Sequence, residues 1–571
     1  MASTSLKTPE TPLHALAPRW WFAVAIAIYL ASLALTEAPT RADAPYYIMD
    51  VLAVRTGAAP AARLWEFGHL LWRPFAYALT PAFLKMAPAS LGWSEKLKVL
   101  WGLVWVDRFC GLAALLLMTD LLRRVTRRPV GMLVAILVMV WGDAFLGYSQ
   151  AGGPYIPGFT LLMFGLWYAL THTSGTLARA LIAGLASAAS AAVWFTFVLA
   201  IPAVACADLF FGRAERPITW RDWRGRPLLL LAASGVFLAA IYAAGAGLAG
   251  AGSPAKFMEW LRASTHGTHV RLTSLRAVSG CPRLLLDLGM TGITIKRYVF
   301  RDPYNPVTLV TLIRQALWPI ACFWIFILAT AAAMTRSPQG RRFLGLGAIA
   351  ALPILIFSLT LYELSSPERF LPALPVLLLS VALLWETKGK LASAARATAI
   401  AFVALLPVMN GPTMLAGSGA ASGTVKARLE EFRRFAGPDD LLLPAILTDP
   451  LTYFQINAAF DPVNIPKPPL VAPIIMPANV VTPEWRRTFA ANVLATWQRG
   501  ADAWVTKAAL ADRPRASTTW VEGDDPRVHW RDLPEFLRRL EYDKDTPGDD
   551  GFRRIRHSAA NEAALRAVIG R

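Results

Sequence analysis

Charged residues are scarce in this chain, because Asp, Glu, Lys and Arg make up only 17% of its 571 residues, against about 25% in an ordinary soluble domain. Apolar residues make up 55% and include 21 Trp and 28 Phe, and the mean hydropathy is +0.43. A soluble fold cannot cover that much apolar surface. The same composition excludes disorder, collagen and coiled coil. The sequence therefore predicts a membrane protein that crosses the bilayer many times.

Cysteines are few, and the common catalytic signatures are absent. Three of the four cysteines, Cys110, Cys206 and Cys322, lie in apolar runs, so no disulfide framework is indicated. The chain has no G-x-x-x-x-G-K-[ST] phosphate loop, no Rossmann glycine fingerprint before a helix and no G-x-S-x-G. His266 and His269 have the spacing of metal ligands but no acidic or Cys partner nearby. Nucleotide hydrolysis by a phosphate loop is excluded, and no metal site is expected from these residues.

Positive charge is concentrated in the first three quarters of the chain. Residues 424–571 carry 21 Lys and Arg against 20 Asp and Glu, so nearly all of the net charge of +19 lies before them. There the basic residues occupy short segments between apolar runs, where they orient helices against anionic lipid. We therefore expect the lipid bilayer, and no nucleic acid, as the partner of this charge.

Nine apolar runs have about the length of a membrane span. They are Trp20–Leu35, Val99–Leu122, Val130–Leu146, Ile156–Leu170, Leu228–Leu248, Leu309–Met334, Phe343–Leu361, Phe370–Trp385 and Ala392–Val408. The first run has no small-residue cleavage site behind it and is expected to be a retained span. A tenth run, Ala180–Gly212, is too long for one ordinary crossing, so we expect two short helices, the second weakened by Pro202. The prediction is therefore about eleven transmembrane helices.

Basic clusters between these runs predict the orientation of the chain. They are Arg123–Arg128, Arg179, Arg213–Arg226, Arg336–Arg342 and Lys388–Lys390. All of them face the cytoplasm if the N-terminus is cytoplasmic, as the positive-inside rule requires. Residues 37–98 and 250–306 then become outer loops of a bacterial inner-membrane protein. The stretch His69–Ala87, with Arg73 and Lys85, is predicted to be an amphipathic helix in the outer interface and not a span.

The composition changes after residue 410. The sequence GPTMLAGSGAASG, residues 411–423, predicts a flexible linker. Beyond it, the helical patterns Lys426–Phe435 and Arg486–Arg499 alternate with the short apolar runs Leu441–Leu447 and Ala503–Thr506. The predicted fold is therefore an all-α membrane domain over residues 1–410, with interfacial helices in its first outer loop, followed by a small periplasmic α/β domain over residues 424–571.

Several ionisable residues lie at the predicted outer ends of separate segments. They are Glu37 and Asp43 after the first span, Asp143 at the end of the third, and Glu363, Glu368 and Arg369 in the turn YELSSPERF. A carboxylate at that depth can act as a general base, with its pKa tuned by partial burial. The alternative is that each is only a solvated helix end.

Two further positions admit two interpretations each. Asp107 and Arg108 lie inside the second span, where ionisable residues are usually paired or functional, so they either anchor helices or take part in chemistry. His69, in EFGHLLWRP, either contacts a phosphate or lies at the membrane interface.

The layout over Trp20–Val408 resembles the GT-C superfamily of integral-membrane glycosyltransferases, such as the protein O-mannosyltransferases and the lipid A aminoarabinose transferases. A span is followed by a long outer loop with an early Asp and interfacial helices, and a late span opens with ERFLPALP, Glu368–Pro375. The resemblance implies transfer of a sugar from a polyprenyl-phosphate carrier, with inversion, on the periplasmic side. The acceptor would be a glycan, a lipid or a protein.

The resemblance also implies roles for individual residues. Asp43, with Glu37 as its rival, matches the acidic residue that deprotonates the acceptor, and Asp143 matches a second acidic position. Independently of the resemblance, a lipid-phosphate leaving group needs positive charge at headgroup depth. The residues predicted on that ground and by position to bind lipid phosphate and sugar are His69, Arg73, Glu363, Glu368 and Arg369. A metal-free site is favoured, and Mg²⁺ or Mn²⁺ held by Asp43 and Asp143 is the alternative. Two other classes stay open: a membrane transporter, and a non-catalytic or polysaccharide-assembly membrane protein.

Overall fold

Helices form most of the backbone in the computed structural model of the chain. The structure describes residues 17–36, 44–86, 93–172, 176–211, 225–263, 278, 280–288, 294–295, 298, 307–360, 367–416, 432, 434–437, 439–444, 470–471, 484–510, 532–543 and 551–570. The chain divides into two compact units. Unit 1 comprises Met1–Leu91, Lys98–Asp287 and Pro319–Gly417, and unit 2 comprises Gly92–Leu97, Leu288–Trp318 and Ser418–Arg571.

Unit 1 is built from helices. They are α1 (Trp21–Leu35), α2 (Ala44–Arg55), α3 (Trp72–Met86), α4 (Glu95–Val125), α5 (Pro129–Trp141), α6 (Asp143–Tyr148), α7 (Tyr155–Thr171), α8 (Thr176–Val193), α9 (Ile201–Phe211), α10 (Arg226–Leu248), α11 (Pro254–Ala263), α13 (Trp318–Met334), α14 (Pro338–Thr360), α15 (Leu374–Leu383) and α16 (Lys390–Ala416). The short helix α12 (Leu309–Leu312) precedes α13 in the chain and belongs to unit 2. Short 3₁₀ segments lie at Ala61–Leu64, Phe67–His69, Phe195–Ala200, Cys281–Leu284 and Pro367–Ala373.

Six helical stretches in the described chain are long and apolar enough to cross a membrane. They are α4, α8, α10, α14, α16 and Leu309–Met334, which joins α12 to α13 through a π-helical turn. Four shorter apolar stretches are Trp21–Leu35, Pro129–Trp141, Tyr155–Thr171 and Phe195–Phe211. The chain is therefore a membrane protein with several spanning helices, and the number of eleven remains a prediction.

The described part of the long run Ala180–Gly212 folds as two helices, as predicted. Helix α8 ends at Val193, and Trp194 takes an extended conformation with φ −140° and ψ 106° before the chain turns helical again. Arg179 near the start of α8 forms an ion pair with Asp208 near the end of α9, so the two helices run in opposite directions. The expected weakness at Pro202 is wrong, because this proline is the second residue of α9, where a missing N–H is tolerated.

The predicted third span is interrupted at Gly142. Helix α5 ends at Trp141 and α6 begins at Asp143, with Gly142 extended between them. Helical hydrogen bonds are replaced there by tertiary ones: Asn410 Nδ2 donates to the Trp141 carbonyl at 2.7 Å, and the Asp143 N–H donates to the Leu285 carbonyl at 3.1 Å. Apolarity alone could not predict this break.

The predicted linker begins too early. Helix α16 continues through Gly411 and Pro412 to Ala416, so residues 411–416 are helical. Asn410 is fixed by hydrogen bonds and Met414 is buried, and this packing outweighs the low helix propensity of glycine.

Helix α3 has the packing of an amphipathic helix. Trp72, Ala76 and Phe83 are buried on one face, whereas Phe75 and Met86 are exposed. The Phe83 ring packs against Gly102 of α4, where a Cβ would overlap the ring. The structure therefore has an amphipathic helix where the sequence predicted one, and its depth in the interface stays a prediction.

Unit 2 contains a four-stranded sheet in the order β2-β1-β3-β4, with β4 antiparallel. Its strands are β1 (Leu441–Leu443), β2 (Leu470–Val471), β3 (Ala503–Thr506) and β4 (Phe552–Arg554). Three helices follow β2 in the chain: α17 (Glu484–Gln498), α18 (Asp532–Leu537) and α19 (Ala559–Ile569). Apolar side chains of α17, including Phe489 and Val493, form a core with Leu443 and Val505. The mixed α/β character predicted for this part is confirmed.

Candidate polar site at one end of the membrane unit

Contacts between helix termini give unit 1 two distinct ends. At one end, which we call the basic end, they are Ala17 N–H to the Arg123 carbonyl, the Thr126 hydroxyl to Glu386, Trp167 Nε1 to Asp120 and the Arg179–Asp208 ion pair. These contacts join the starts of α1 and α8 to the ends of α4, α7, α9 and α15. Arg226 also pairs with Asp208 at 3.5 Å, and Phe343 in α14 packs against Phe211 at the end of α9. The described parts of the predicted cytoplasmic clusters therefore lie at one end of unit 1.

The opposite end, which we call the polar end, gathers most of the described candidate residues. Its contacts are Gln150 Nε2 to Thr36, Asn410 Nδ2 to the Trp141 carbonyl, Tyr148 to Glu368, Tyr242 to the Phe67 carbonyl and the Leu71 N–H to the Ala192 carbonyl. The first predicted outer loop, α6, the end of α8 and the segment Pro367–Ala373 therefore lie together. Which end faces the periplasm stays a prediction.

His69 is buried within a set of aromatic rings. Its Nε2 lies 2.8 Å from the Tyr47 hydroxyl, and its ring stacks on Trp194 with centroids 4.6 Å apart. The Tyr155 ring meets Trp194 edge-on, with centroids 5.0 Å apart, and packs at a tilt against Tyr148, with centroids 4.6 Å apart. We call Tyr47, His69, Trp194, Tyr155 and Tyr148 the aromatic wall. Its geometry gives His69 a packed, hydrogen-bonded place in the wall, and contact with a phosphate remains a prediction.

Glu368 and Arg369 are both buried in the 3₁₀ segment Pro367–Ala373. The Tyr148 hydroxyl donates to Glu368 Oε2 at 2.6 Å, which joins this segment to the aromatic wall. The segment also packs against α6, α7 and the 3₁₀ turn after Trp194. A carboxylate and a guanidinium are therefore held next to each other in the chain, at the centre of the polar end.

Arg73 is engaged by two carboxylates. Its NH1 lies 3.3 Å from Asp50 and its NH2 lies 2.8 Å from Glu66. Asp50 also pairs with Arg63 at 2.6 Å, and the Arg73 guanidinium lies over the Tyr47 ring at 5.3 Å. Arg73 therefore braces α2 against α3, and a phosphate would have to compete with both carboxylates. Its role in phosphate binding stays a prediction.

Asp143 is buried at the first turn of α6. Its position depends on Asn410, whose Nδ2 donates to the Leu285 carbonyl at 2.8 Å and whose Oδ1 accepts from the Asp287 N–H at 2.8 Å. Helix α6 contacts the segment that carries Glu368 and Arg369. The structure therefore brings Asp143 to the same end as this pair.

Several buried polar atoms of the polar end have no hydrogen-bond partner among the described residues, and two of them lie close together in the chain. These two are Trp194 Nε1 and Thr196 Oγ1, both on buried side chains at the break after α8. Buried polar groups are normally satisfied, so each exception requires an explanation. A ligand hydroxyl could provide the missing acceptor.

An apolar cleft begins next to the segment of Glu368 and Arg369. It lies between α7, α9, α14 and α15, and has about 310 Å³ of empty volume, including its open side. Pro372, Pro375 and Val376 line it together with Met163 and Leu346. An apolar space three residues beyond a buried arginine is suited to a molecule with a charged head and an apolar tail.

Asp107 and Arg108 do not pair with each other. Asp107 Oδ2 accepts a hydrogen bond from the Gly153 N–H at 2.9 Å, and Arg108 NH2 donates to Gln150 at 3.4 Å. The Arg108 guanidinium also lies over the Trp105 ring at 5.0 Å. Both residues therefore anchor the turn between α6 and α7 to α4, which supports the structural interpretation.

Three predicted site residues lie outside the described part of the chain: Glu37, Asp43 and Glu363. In the described ranges no three His, Cys, Asp or Glu side chains are grouped so that they could hold a metal ion. Because Asp43 is outside those ranges, the alternative of Mg²⁺ or Mn²⁺ between Asp43 and Asp143 stays a prediction.

Sequence reasoning missed the aromatic wall, except His69, and it missed Asn410. Aromatic residues are common at both membrane interfaces, so Tyr47 and Trp194 gave no distinctive signal. Asn410 sits near the end of an apolar run, where a polar residue is a weak indication of a tertiary contact.

The polar end and the spanning helices define a membrane protein with a buried polar site. No protein-family model matches the chain, and no curated protein matches it in sequence. Among solved structures, one similar chain is ArnT from Cupriavidus metallidurans bound to undecaprenyl phosphate. The identity is 13%, the alignment covers 85% of this chain and 92% of that chain, and the TM-score is 0.45.

Proposed function

We propose that the protein is an inverting glycosyltransferase that moves a sugar from a polyprenyl-phosphate carrier to an acceptor on the periplasmic side of a bacterial inner membrane. The observation that carries the proposal is the polar end of unit 1. There the buried Glu368 and Arg369 lie between the aromatic wall and an apolar cleft. The GT-C-like order of elements in the sequence agrees with it.

Arg369 supports a lipid phosphate as the leaving group. Negative charge grows on the phosphate as the glycosidic bond breaks, and a preorganised cation stabilises it best where water is excluded. A guanidinium can bind a phosphate through two parallel hydrogen bonds. In the proposed complex the polyprenyl tail follows the cleft past Pro372 and Pro375.

The aromatic wall supports a sugar as the transferred group. Aromatic faces give large apolar contact with fixed geometry, and the C–H faces of a sugar ring are apolar. Trp194 Nε1 and Thr196 Oγ1 would then donate to sugar hydroxyls, which supplies the partners they lack among the described residues. The Tyr148 hydroxyl holds Glu368 in a fixed position beside them.

The chemistry of the proposed transfer is a single displacement. Asp43, or its rival Glu37, takes the proton of the acceptor hydroxyl or amine. The acceptor atom bonds to the anomeric carbon from the face opposite the phosphate, and the bond from that carbon to the phosphate oxygen breaks, which inverts the configuration. Asp143 is the second acidic group of the site. None of these steps uses a metal.

Donor binding and transfer should be measured separately on the purified chain. Radiolabelled polyprenyl-phosphate sugars serve as probes for binding and, with an acceptor extract, for transfer. We expect Arg369→Gln to weaken donor binding by about tenfold or more, because a charge-assisted contact is lost. Asp43→Asn should keep donor binding and abolish transfer.

Glu386→Gln is the matched control for these variants. Glu386 is a carboxylate at the basic end, where it accepts from the Thr126 hydroxyl at 2.7 Å, so this variant should keep both binding and transfer. If the unmodified chain bound none of the polyprenyl-phosphate sugars, the proposed function would be wrong. Full transfer by Asp43→Asn would overturn only the assignment of the base.

A further inference from the structure

The basic end of unit 1 contains a recess that the proposed transfer does not use. It has about 250 Å³ of empty volume, including its open side, and lies where α8 and α10 begin and α7 and α9 end. Thr176, Arg179, Asp208 and Arg226 form its polar part, and small apolar side chains with Leu230 form the rest.

Charge in the recess favours an anion. Arg179 and Arg226 both approach Asp208 Oδ2, and Arg226 does so at 3.5 Å. Among the described residues of the recess, two guanidinium groups face one carboxylate, which leaves one positive charge. The Arg226 side chain is 55% exposed and that of Arg179 is 13% exposed, so one cation is accessible and the other is enclosed. The first turns of α8 and α10 border the recess and add positive potential.

The position of the recess indicates a lipid as the source of this anion. Helices α8 and α10 are long and apolar enough to cross a membrane, and the recess lies at their first residues, where a helix that crosses a bilayer reaches the lipid headgroups. Val204, Ala205 and Leu230 continue its wall in the direction of the hydrocarbon. Basic pockets between transmembrane helices bind anionic headgroups.

We propose that this recess binds an anionic glycerophospholipid, with the phosphate against Arg226 and Arg179 and one acyl chain along Val204 and Leu230. The two arginines are separate from the polar end, because α8 runs from Thr176 at the recess to Val193 beside the aromatic wall. Among the described residues, only Val204 lines both the recess and the apolar cleft. Eighteen residues of helix correspond to about 27 Å. The proposal therefore does not depend on the proposed transferase activity.

Lipid binding can be tested on the full-length chain in a neutral detergent. Phosphatidylglycerol and phosphatidylcholine with the same acyl chains are added in parallel, and retained lipid is counted by native mass spectrometry. We expect preferential retention of phosphatidylglycerol.

Arg226→Gln should lower this retention by about fivefold, which corresponds to about 1 kcal/mol per basic residue near an anionic surface. Arg341→Gln, an exposed arginine in the first turns of α14, is the matched control and should change nothing.

Asp208→Asn separates a lipid site from a purely structural ion pair. Removing the competing carboxylate should increase phosphatidylglycerol retention, whereas a structural pair would only lose thermal stability.

Equal retention of both lipids, or equal effects of Arg226→Gln and Arg341→Gln, would overturn the proposal. If inorganic phosphate at millimolar concentration blocked retention completely in the unmodified chain, the recess would be a site for free phosphate and not for lipid. Arg226→Gln alone decides the question if Asp208→Asn fails to fold, since Arg226 is largely exposed.

Discussion

The side-chain amide of Asn410 joins three segments that are far apart in sequence. It donates to the carbonyls of Trp141 and Leu285 and accepts from the N–H of Asp287. These three backbone groups lie at the interruption between α5 and α6, which also fixes Asp143. A polar side chain at the end of an apolar helix therefore determines where a candidate catalytic residue lies.

Asn410→Ala should destabilise unit 1 by about 2–4 kcal/mol. Each buried backbone group left without its partner contributes about 1–3 kcal/mol. Thermal unfolding in detergent, followed by intrinsic fluorescence, measures the effect. Ser393→Ala on the same helix is the control, because the Ser393 hydroxyl makes only exposed 3.4 Å contacts, donating to the Gly389 carbonyl and accepting from the Arg396 guanidinium. Equal unfolding temperatures for the two variants would contradict the role given to Asn410.

Only part of the candidate site could be predicted at this scale. Glu368 and Arg369 were predictable because ionisable residues beside an apolar run are uncommon, and both lie buried at the polar end. The role of Tyr148 was not predictable, since it depends on a carboxylate 220 residues away in the sequence. Sequence separation of that size leaves no local pattern to read.

At the scale of helices, α3 lies against the bundle through one close approach. Phe83 of α3 is buried against Gly102 of α4, and a Cβ at position 102 would overlap its ring. The glycine therefore allows the amphipathic helix to contact α4 and to place Arg73 next to Asp50 and Glu66.

Gly102→Ala should destabilise the docking of α3 by about 1–3 kcal/mol, because overpacking forces the ring or the helix to move. Gly235→Ala on α10 is the control, since a Cβ there has no atom within 4 Å. That change should be neutral or stabilising by up to about 1 kcal/mol, as alanine favours helix. Thermal unfolding of the two variants gives the comparison. A lower unfolding temperature for Gly235→Ala than for Gly102→Ala would show that the close approach is unimportant.

Helix positions were largely predictable and helix interruptions were not. Apolar runs indicated α1, α4, α7 and α10 to within a few residues, because a spanning helix needs a continuous apolar stretch. The break at Gly142 and the helical continuation through Gly411 both depend on Asn410 and its distant partners. Glycine allowed either outcome at both positions, and tertiary contacts decided between them.

At the scale of the whole membrane unit, the separation of the basic end from the polar end gives a test of orientation. At the basic end, Arg128 is exposed just before α5 and Arg336 just after α13. At the polar end, Ala58 is exposed just after α2 and Ser253 after α10. Positive-inside threading puts the first pair in the cytoplasm and the second pair in the periplasm. The proposed transfer requires this orientation, because it places the polar end on the periplasmic side.

Single cysteines at these four positions can be labelled in spheroplasts with a membrane-impermeant maleimide. We expect Ala58→Cys and Ser253→Cys to react in intact spheroplasts, and Arg128→Cys and Arg336→Cys to react only after permeabilisation. Burial raises the pKa of the native Cys281 thiol to about 12, so at pH 7 it stays protonated and reacts slowly, because the thiolate is the nucleophile. The unmodified chain gives the remaining background. Labelling of Ala58→Cys only after permeabilisation would place the aromatic wall in the cytoplasmic half, where a sugar presented at the periplasmic surface could not reach Arg369.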